Sequence, residues 1–177
     1  MTAAAARATT RILGIDPGSR LTGFGLIEVE GARSRCLAHD VIRLGDGPLP
    51  ERLLLMMQRL RALCAEFHPD EAAMEQVFVQ RNVASALTLG QARGVAVCAV
   101  AEAGLPLHEY APASIKLAIA GSGRAEKSQI QHMVKVLLNL PEVPAEDAAD
   151  ALACALCHAH SRTLKLQTQK VLQGMRR

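Results

Sequence analysis

The chain is nearly without aromatic residues: no tryptophan, one tyrosine (Tyr110) and three phenylalanines (Phe24, Phe67, Phe78), 2% of its 177 residues. Alanine, valine and leucine must therefore build the core, and an exposed aromatic would be hard to explain as filler. The five cysteines (36, 64, 98, 154, 157) are an odd number in mostly apolar surroundings. That fits buried thiols in a reducing compartment better than a disulfide framework. The alanine-rich start, Met1 to Thr10, has no apolar h-region, so it reads as a disordered leader over residues 1–10 rather than a secretory signal. No uninterrupted apolar run is long enough to span a membrane. These absences point to a cytoplasmic protein with no membrane partner. Neither an internal repeat nor an interdomain linker is visible.

What is present fits one globular domain: half the residues are apolar and 21% are charged. The net charge of +3 is uneven, with 11 Lys+Arg against 12 Asp+Glu in residues 1–110 and 9 against 5 in residues 111–177. A mildly basic C-terminal third is compatible with a polyanionic partner.

The chain is organised around Arg11 to Gly25. Ile12, Leu13 and Ile15 give the pattern of a buried strand, which ends in Asp16 before the Pro17-Gly18 turn. A carboxylate held there calls for a cation or hydrogen-bond donors. Gly18, Gly23 and Gly25 leave the next loop and strand free of side chains, so a bulky anionic ligand could come close. The plainer alternative is a hairpin whose Asp caps its turn.

Strands are expected at Gly25–Val29 and Arg35–Leu44, making an antiparallel meander with the first. Leu53, Leu54, Met57, Leu60, Leu63 and Cys64 follow helical spacing, ending near Phe67. Glu71 to Val77 is a short strand carrying Glu75 toward its end. Ala84 to Ala101 is a helix apolar nearly all round, which must be covered on more than one side; a second copy of the chain could provide the cover. A strand at Leu107–Tyr110 is followed by helices at Ala113–Ile119, Lys127–Leu138 and Ala145–His160. Residues 11–161 thus form an α/β layered domain, and residues 162–177 a polar, basic tail.

Four carboxylates stand out. Asp16 and Glu75 lie at the ends of two strands that can be neighbours, and Asp147 and Asp150 lie one helical turn apart on one face. Oxygen-only ligands of this number suit Mg²⁺ or Mn²⁺, and two such ions would activate a water and stabilise a leaving oxygen of a phosphodiester. The alternative for Asp147 and Asp150 is an acidic first turn favoured by the helix dipole. Cys154 to His158 matches a haem-attachment pattern, and His160 adds a possible zinc ligand, but the run lies in an apolar helix and reads better as buried thiols. Gly121 to Ser128 departs from a P-loop, having Glu126 where glycine is required. It reads as a basic loop with Arg124 and Lys127 near a nucleic-acid backbone, or as a solvated loop. Phe78, with Arg81 close by, can stack on an unpaired base; a core phenylalanine is the alternative.

Ile12–Arg20, Glu75–Phe78, Leu89–Ala96, Ala125–Val134 and Asp147–Ala153 resemble, in order, the blocks of the RuvC family of Holliday-junction resolvases. The resemblance covers most of residues 11–160. It implies a ribonuclease-H-like fold with a five-stranded mixed sheet and helices on both faces, working as a homodimer. It implies Mg²⁺-dependent nicking of two same-polarity strands at a four-way DNA junction, leaving 5′-phosphate and 3′-hydroxyl ends, alongside the RuvA and RuvB branch-migration proteins. Asp16, Glu75, Asp147 and Asp150 match the catalytic metal-binding acids, Phe78 the aromatic inserted at the junction, and Lys116 and Lys127 basic residues of the scissile region. Two departures are the alanine-rich leader and Phe24, where tyrosine is common. Rival readings are a junction-binding protein without catalysis and an actin-like ATPase, which would need a second such lobe.

Overall fold

The computed structural model describes residues 9–76 and 83–174, with side chains as far as residue 164. The first three strands are β1 (Thr10–Asp16), β2 (Leu21–Glu30) and β3 (Arg33–Arg43), followed by α1 (Leu49–Phe67) and β4 (Glu71–Glu75). Then come α2 (Val83–Glu102), β5 (Leu107–Tyr110), α3 (Pro112–Ala120), α4 (Lys127–Leu137) and α5 (Glu146–Gly174). The five strands form one mixed sheet in the order β3-β2-β1-β4-β5. β1, β2 and β3 make the antiparallel meander, while β4 runs parallel to β1 and β5 parallel to β4.

The period of two along the strands sorts side chains to the two faces. Ile12, Ile27 and Ala73 pack against α3, α4 and α5. Leu13, Ile15, Leu26, Ala72 and Met74 pack against α1 and α2 on the other face. Helices thus cover both faces, as a ribonuclease-H-like fold requires. The core is aliphatic: the largest fully buried side chains are isoleucines, leucines, methionines and valines.

The structure corrects or sharpens several expectations. α2 is 20 residues long and, by length and composition alone, apolar enough to cross a membrane, although only 22% of its most apolar 18-residue stretch is buried within the chain. Its Ala92, Ala96, Ala99 and Val100 pack on the sheet and α1, whereas Val83 and Leu87 are 73% and 66% exposed. The thiols are not uniformly buried: Cys154 and Cys157 are, Cys36 and Cys64 are half-buried, and Cys98 is exposed on α2. Finally, α5 does not stop near His160 but runs on through residues 162–174. Residues 1–8 of the expected leader lie outside the described residues, and Thr10 already belongs to β1.

Candidate active site

The sheet's alternation decides where Asp16 and Glu75 go. Asp16 follows Ile12 and Gly14 on the face covered by α5, and Glu75 follows Ala73 on the same face. β1 and β4 pair in parallel, Ile15 beside Met74, so the two carboxylates stand at the same end of adjacent strands. α5 brings Asp147 and Asp150 down onto that end.

How α5 comes so close is the role of the glycines. A Cβ on Gly14 would collide with the Ala151 backbone, one on Gly23 with the Asp147 carbonyl, and one on Gly25 with the Leu152 side chain. The facing residues of α5 are small and fully buried: Ala148, Ala151 and Ala155 are 0% exposed. Gly23 and Gly25 therefore seat a helix, and do not open the strand to a bulky anionic ligand as their spacing had suggested. A Cβ on Gly18 would meet the carbonyl of Leu21, so that glycine serves its own turn, where the Thr22 hydroxyl donates to the Gly18 carbonyl at 2.9 Å.

The electrostatics are those of crowded carboxylates. Asp16 is pushed up to about 7, first by burial and then by the charges of Asp150, Asp147 and Glu75. Glu75 is raised by burial and by Asp150. Asp150 is also raised, its burial outweighing the hydrogen bond and charge of Lys127. Lys127, the first residue of α4, lies with its Nζ 3.1 Å from Asp150 and forms a second ion pair with Glu146. Burial opposes its charge, but those two carboxylates hold its ammonium well above the usual lysine range. The charges of Lys127 and, less strongly, of Lys116 on α3 offset part of the rise at Glu75. Glu75, Lys116, Lys127 and Asp150 line one open cavity of about 290 Å³.

Arg93 was not anticipated as a site residue. It lies in the apolar helix α2, yet its Nη1 donates to the Glu75 carbonyl at 2.8 Å and its Nη2 pairs with Glu109 of β5. The sequence signal was there: a charged residue inside an otherwise apolar helix needs a partner. Of the other anticipated residues, Arg124 is exposed in the loop before α4, where its backbone N–H donates to the Ser122 hydroxyl. Phe78 and Arg81 lie outside the described residues. The Gly121–Ser128 run closes α3 with Gly121 in the left-handed conformation and starts α4 at Lys127.

Comparison with known proteins gives the family. The family model described as "Crossover junction endodeoxyribonuclease RuvC" matches residues 12–158. The chain belongs to the RuvC family. The RuvC of Alkalilimnicola ehrlichii is 52% identical over 160 residues, covering 90% of this chain and 97% of the relative. That of Halorhodospira halophila is 56% identical over 158 residues, 89% of this chain and 94% of the relative. Among solved structures, Thermus thermophilus RuvC in complex with a Holliday junction substrate is similar, with a TM-score of 0.83 and 35% identity. The match covers 88% of this chain and 96% of that one. The yeast mitochondrial Holliday junction resolvase shares the fold, with a TM-score of 0.66 at 18% identity.

Proposed function

We propose that this chain resolves four-way DNA junctions by paired, symmetrical nicks, hydrolysing a phosphodiester at a site built from Asp16, Glu75, Asp147 and Asp150. The observation that carries the reading is the gathering of these carboxylates from two adjacent strands and one helix close enough to act on one another, with Glu75 and Asp150 lining a cavity shared with Lys116 and Lys127. Four acids whose mutual repulsion and burial raise Asp16 to about 7 favour bound cations. Their all-oxygen donor set fits Mg²⁺, with Mn²⁺ as a substitute. Two bound ions would supply an activated water and stabilisation of the leaving oxygen.

The chain's own residues do the rest. Asp16 and Glu75 are fixed by strand backbone, and Asp147 and Asp150 by a helix seated on glycines, so the acids are preorganised. Lys127 and Lys116 supply positive charge where a phosphate backbone would approach. Phe78 engages the unpaired junction bases by family resemblance; Arg81, three residues on, and Arg124, in the basic loop before α4, add positive charge for the DNA backbone. The products carry 5′-phosphate and 3′-hydroxyl ends.

The uncovered apolar face of α2, with Val83 and Leu87 outermost, supports a homodimer that presents two such sites to two strands. By family resemblance the enzyme works with RuvA and RuvB, and its odd number of cysteines in mostly apolar surroundings suits a reducing, cytoplasmic setting. Residues 11–161 form the nuclease unit.

The test uses a labelled mobile four-way junction and a matching linear duplex, with Mg²⁺ or EDTA, beside Asp16→Asn. Paired nicks on the junction alone, requiring Mg²⁺ and lost in the variant while binding persists, are the expected result. Binding without nicks under every divalent metal would leave a junction-recognition protein.

A further inference from the structure

The same two elements that carry the acids carry a second cluster at their other ends. Glu71 opens β4 four residues before Glu75, and His158 lies eight residues after Asp150 on α5. At about 3.3 Å per strand residue and 1.5 Å per helix residue, both intervals are roughly 12–13 Å. The alternation that puts Glu75 on the α5 face puts Glu71 there too. His108 joins them from β5, where it pairs with Ala73. One ligand atom from each of Glu71, His108 and His158 lies within 4.8 Å of the others.

We propose that Glu71, His108 and His158 form a metal site for a borderline transition cation such as Zn²⁺, separate from the four acids. Two imidazoles and one carboxylate are a donor set that zinc takes, with a fourth position left to water. The nitrogen donors disfavour Mg²⁺, which prefers oxygen. The surroundings orient the ligands as outer partners of a metal site do. The Tyr110 hydroxyl is 2.6 Å from His158 Nδ1, which fixes that ring and leaves Nε2 facing Glu71 Oε2. Arg162 Nε donates to the other Glu71 oxygen at 2.9 Å, and Oε2 is paired with His158 Nε2, a pairing that a cation bound between the two atoms would replace.

His158 is 3% exposed, whereas the His108 side chain is 36% exposed and gives the cation its way in. The two rings stack 4.1 Å apart and 19° from parallel, with His108 Nε2 3.8 Å from Glu71 Oε2. Parallel rings do not aim their lone pairs at one point, so binding turns the outer ring, His108. The neutral His158 ring then carries its proton on Nδ1, donated to the Tyr110 oxygen, and offers the Nε2 lone pair to the metal. Arg162 opposes added positive charge, so affinity is expected in the micromolar range. A cation there would tie α5 to β4 and β5, the frame that holds the acids.

The test titrates Zn²⁺ into the full-length protein with Mg²⁺ in excess to occupy the carboxylates, followed by calorimetry and thermal melting. One Zn²⁺ per chain and a raised Tm are expected. His108→Ala should weaken binding at least tenfold and abolish the Tm rise, while keeping the far-UV circular dichroism and the Mg²⁺-dependent nicking. Co²⁺ should give the absorption bands of nitrogen ligation in the parent and lose them in His108→Ala. Zn²⁺ binding that survives His108→Ala, that disappears with Asp147→Asn, or that is absent at micromolar metal would overturn the proposal.

Discussion

Lys127 Nζ lies 3.1 Å from the Asp150 carboxylate while also pairing with Glu146, so one ammonium occupies the edge of the acid cluster. It offsets charge that bound cations would also offset, and the two compete for Asp150. Lys127→Met should therefore lower the Mg²⁺ concentration needed for half-maximal binding. The nicking rate at saturating metal should fall by about 10²–10³-fold, as when one electrostatic contact to a transition state is removed. Metal titrations beside single-turnover rates check both; an unchanged rate would remove Lys127 from the reaction.

The pH dependence of stability follows from Asp16. Its folded value of about 7 exceeds the ordinary 3.8, because of burial first and the neighbouring acids second. The folded chain thus holds this proton more tightly than the unfolded chain does, and the metal-free protein loses stability as pH rises from about 4 through about 7. A shift of this size corresponds to on the order of 4 kcal/mol before screening. Urea unfolding in EDTA at pH 5 and pH 8 should show the decline, with a flatter profile for Asp16→Asn. Mg²⁺ should restore stability at the higher pH.

The glycine seat of α5 makes a sharper prediction. Gly23→Ala places a methyl group against the Asp147 carbonyl, where no side chain can rotate away. The helix must lift, at a cost of about 1–3 kcal/mol. Nicking should fall by far more than junction binding, measured on the same samples by gel shift and cleavage. Equal losses would mean that the protein had simply unfolded.

Arg93 is a positioning residue in this site, since it holds the Glu75 carbonyl and not a reacting atom. Arg93→Ala should cost about 1–3 kcal/mol from the partners left unpaired. Its mark is a raised Mg²⁺ requirement for nicking that Arg93→Lys partly relieves. A variant that loses only stability, with the metal requirement intact, would show a structural role alone.

The open face of α2 gives the last test. Leu87 is 66% exposed there, and Leu87→Glu should leave the fold intact while shifting sedimentation to the monomer. Paired nicking would then give way to weak, unpaired cutting. A dimer that persists would place the seam elsewhere.

Much of this was legible before any coordinates. The strand of Ile12 to Asp16, the meander, and β5 at Leu107–Tyr110 follow from short apolar runs bounded by turns. Asp16 and Glu75 could be picked out as strand-end acids for the same reason. The glycines were legible as close approach, but nothing local tells whether a ligand or a helix is the visitor. Lys127 and Glu146 meet only through the packing of α4 beside α5, and Glu71, His108 and His158 only through the pairing of β4 with β5 and the seating of α5 on the sheet. In the Cys154 to His158 run, attention falls on the thiols, yet those are buried and pushed up, Cys157 to about 11, while the histidine has the metal-type neighbours. The continuation of α5 beyond Arg162 had no apolar period to announce it.

The seam between β1, β2 and α5 has alanines on the helix and glycines on the strands, so main chain rests almost directly on main chain. Side chains that hop between rotamers as temperature rises have little part in spacing the acids there. Warming should leave the spacing of Asp16 from Asp147 and Asp150 nearly constant until the whole domain gives way. Catalytic competence and the native fold should then vanish together at one temperature, without an intermediate stage in which the protein is folded but inert.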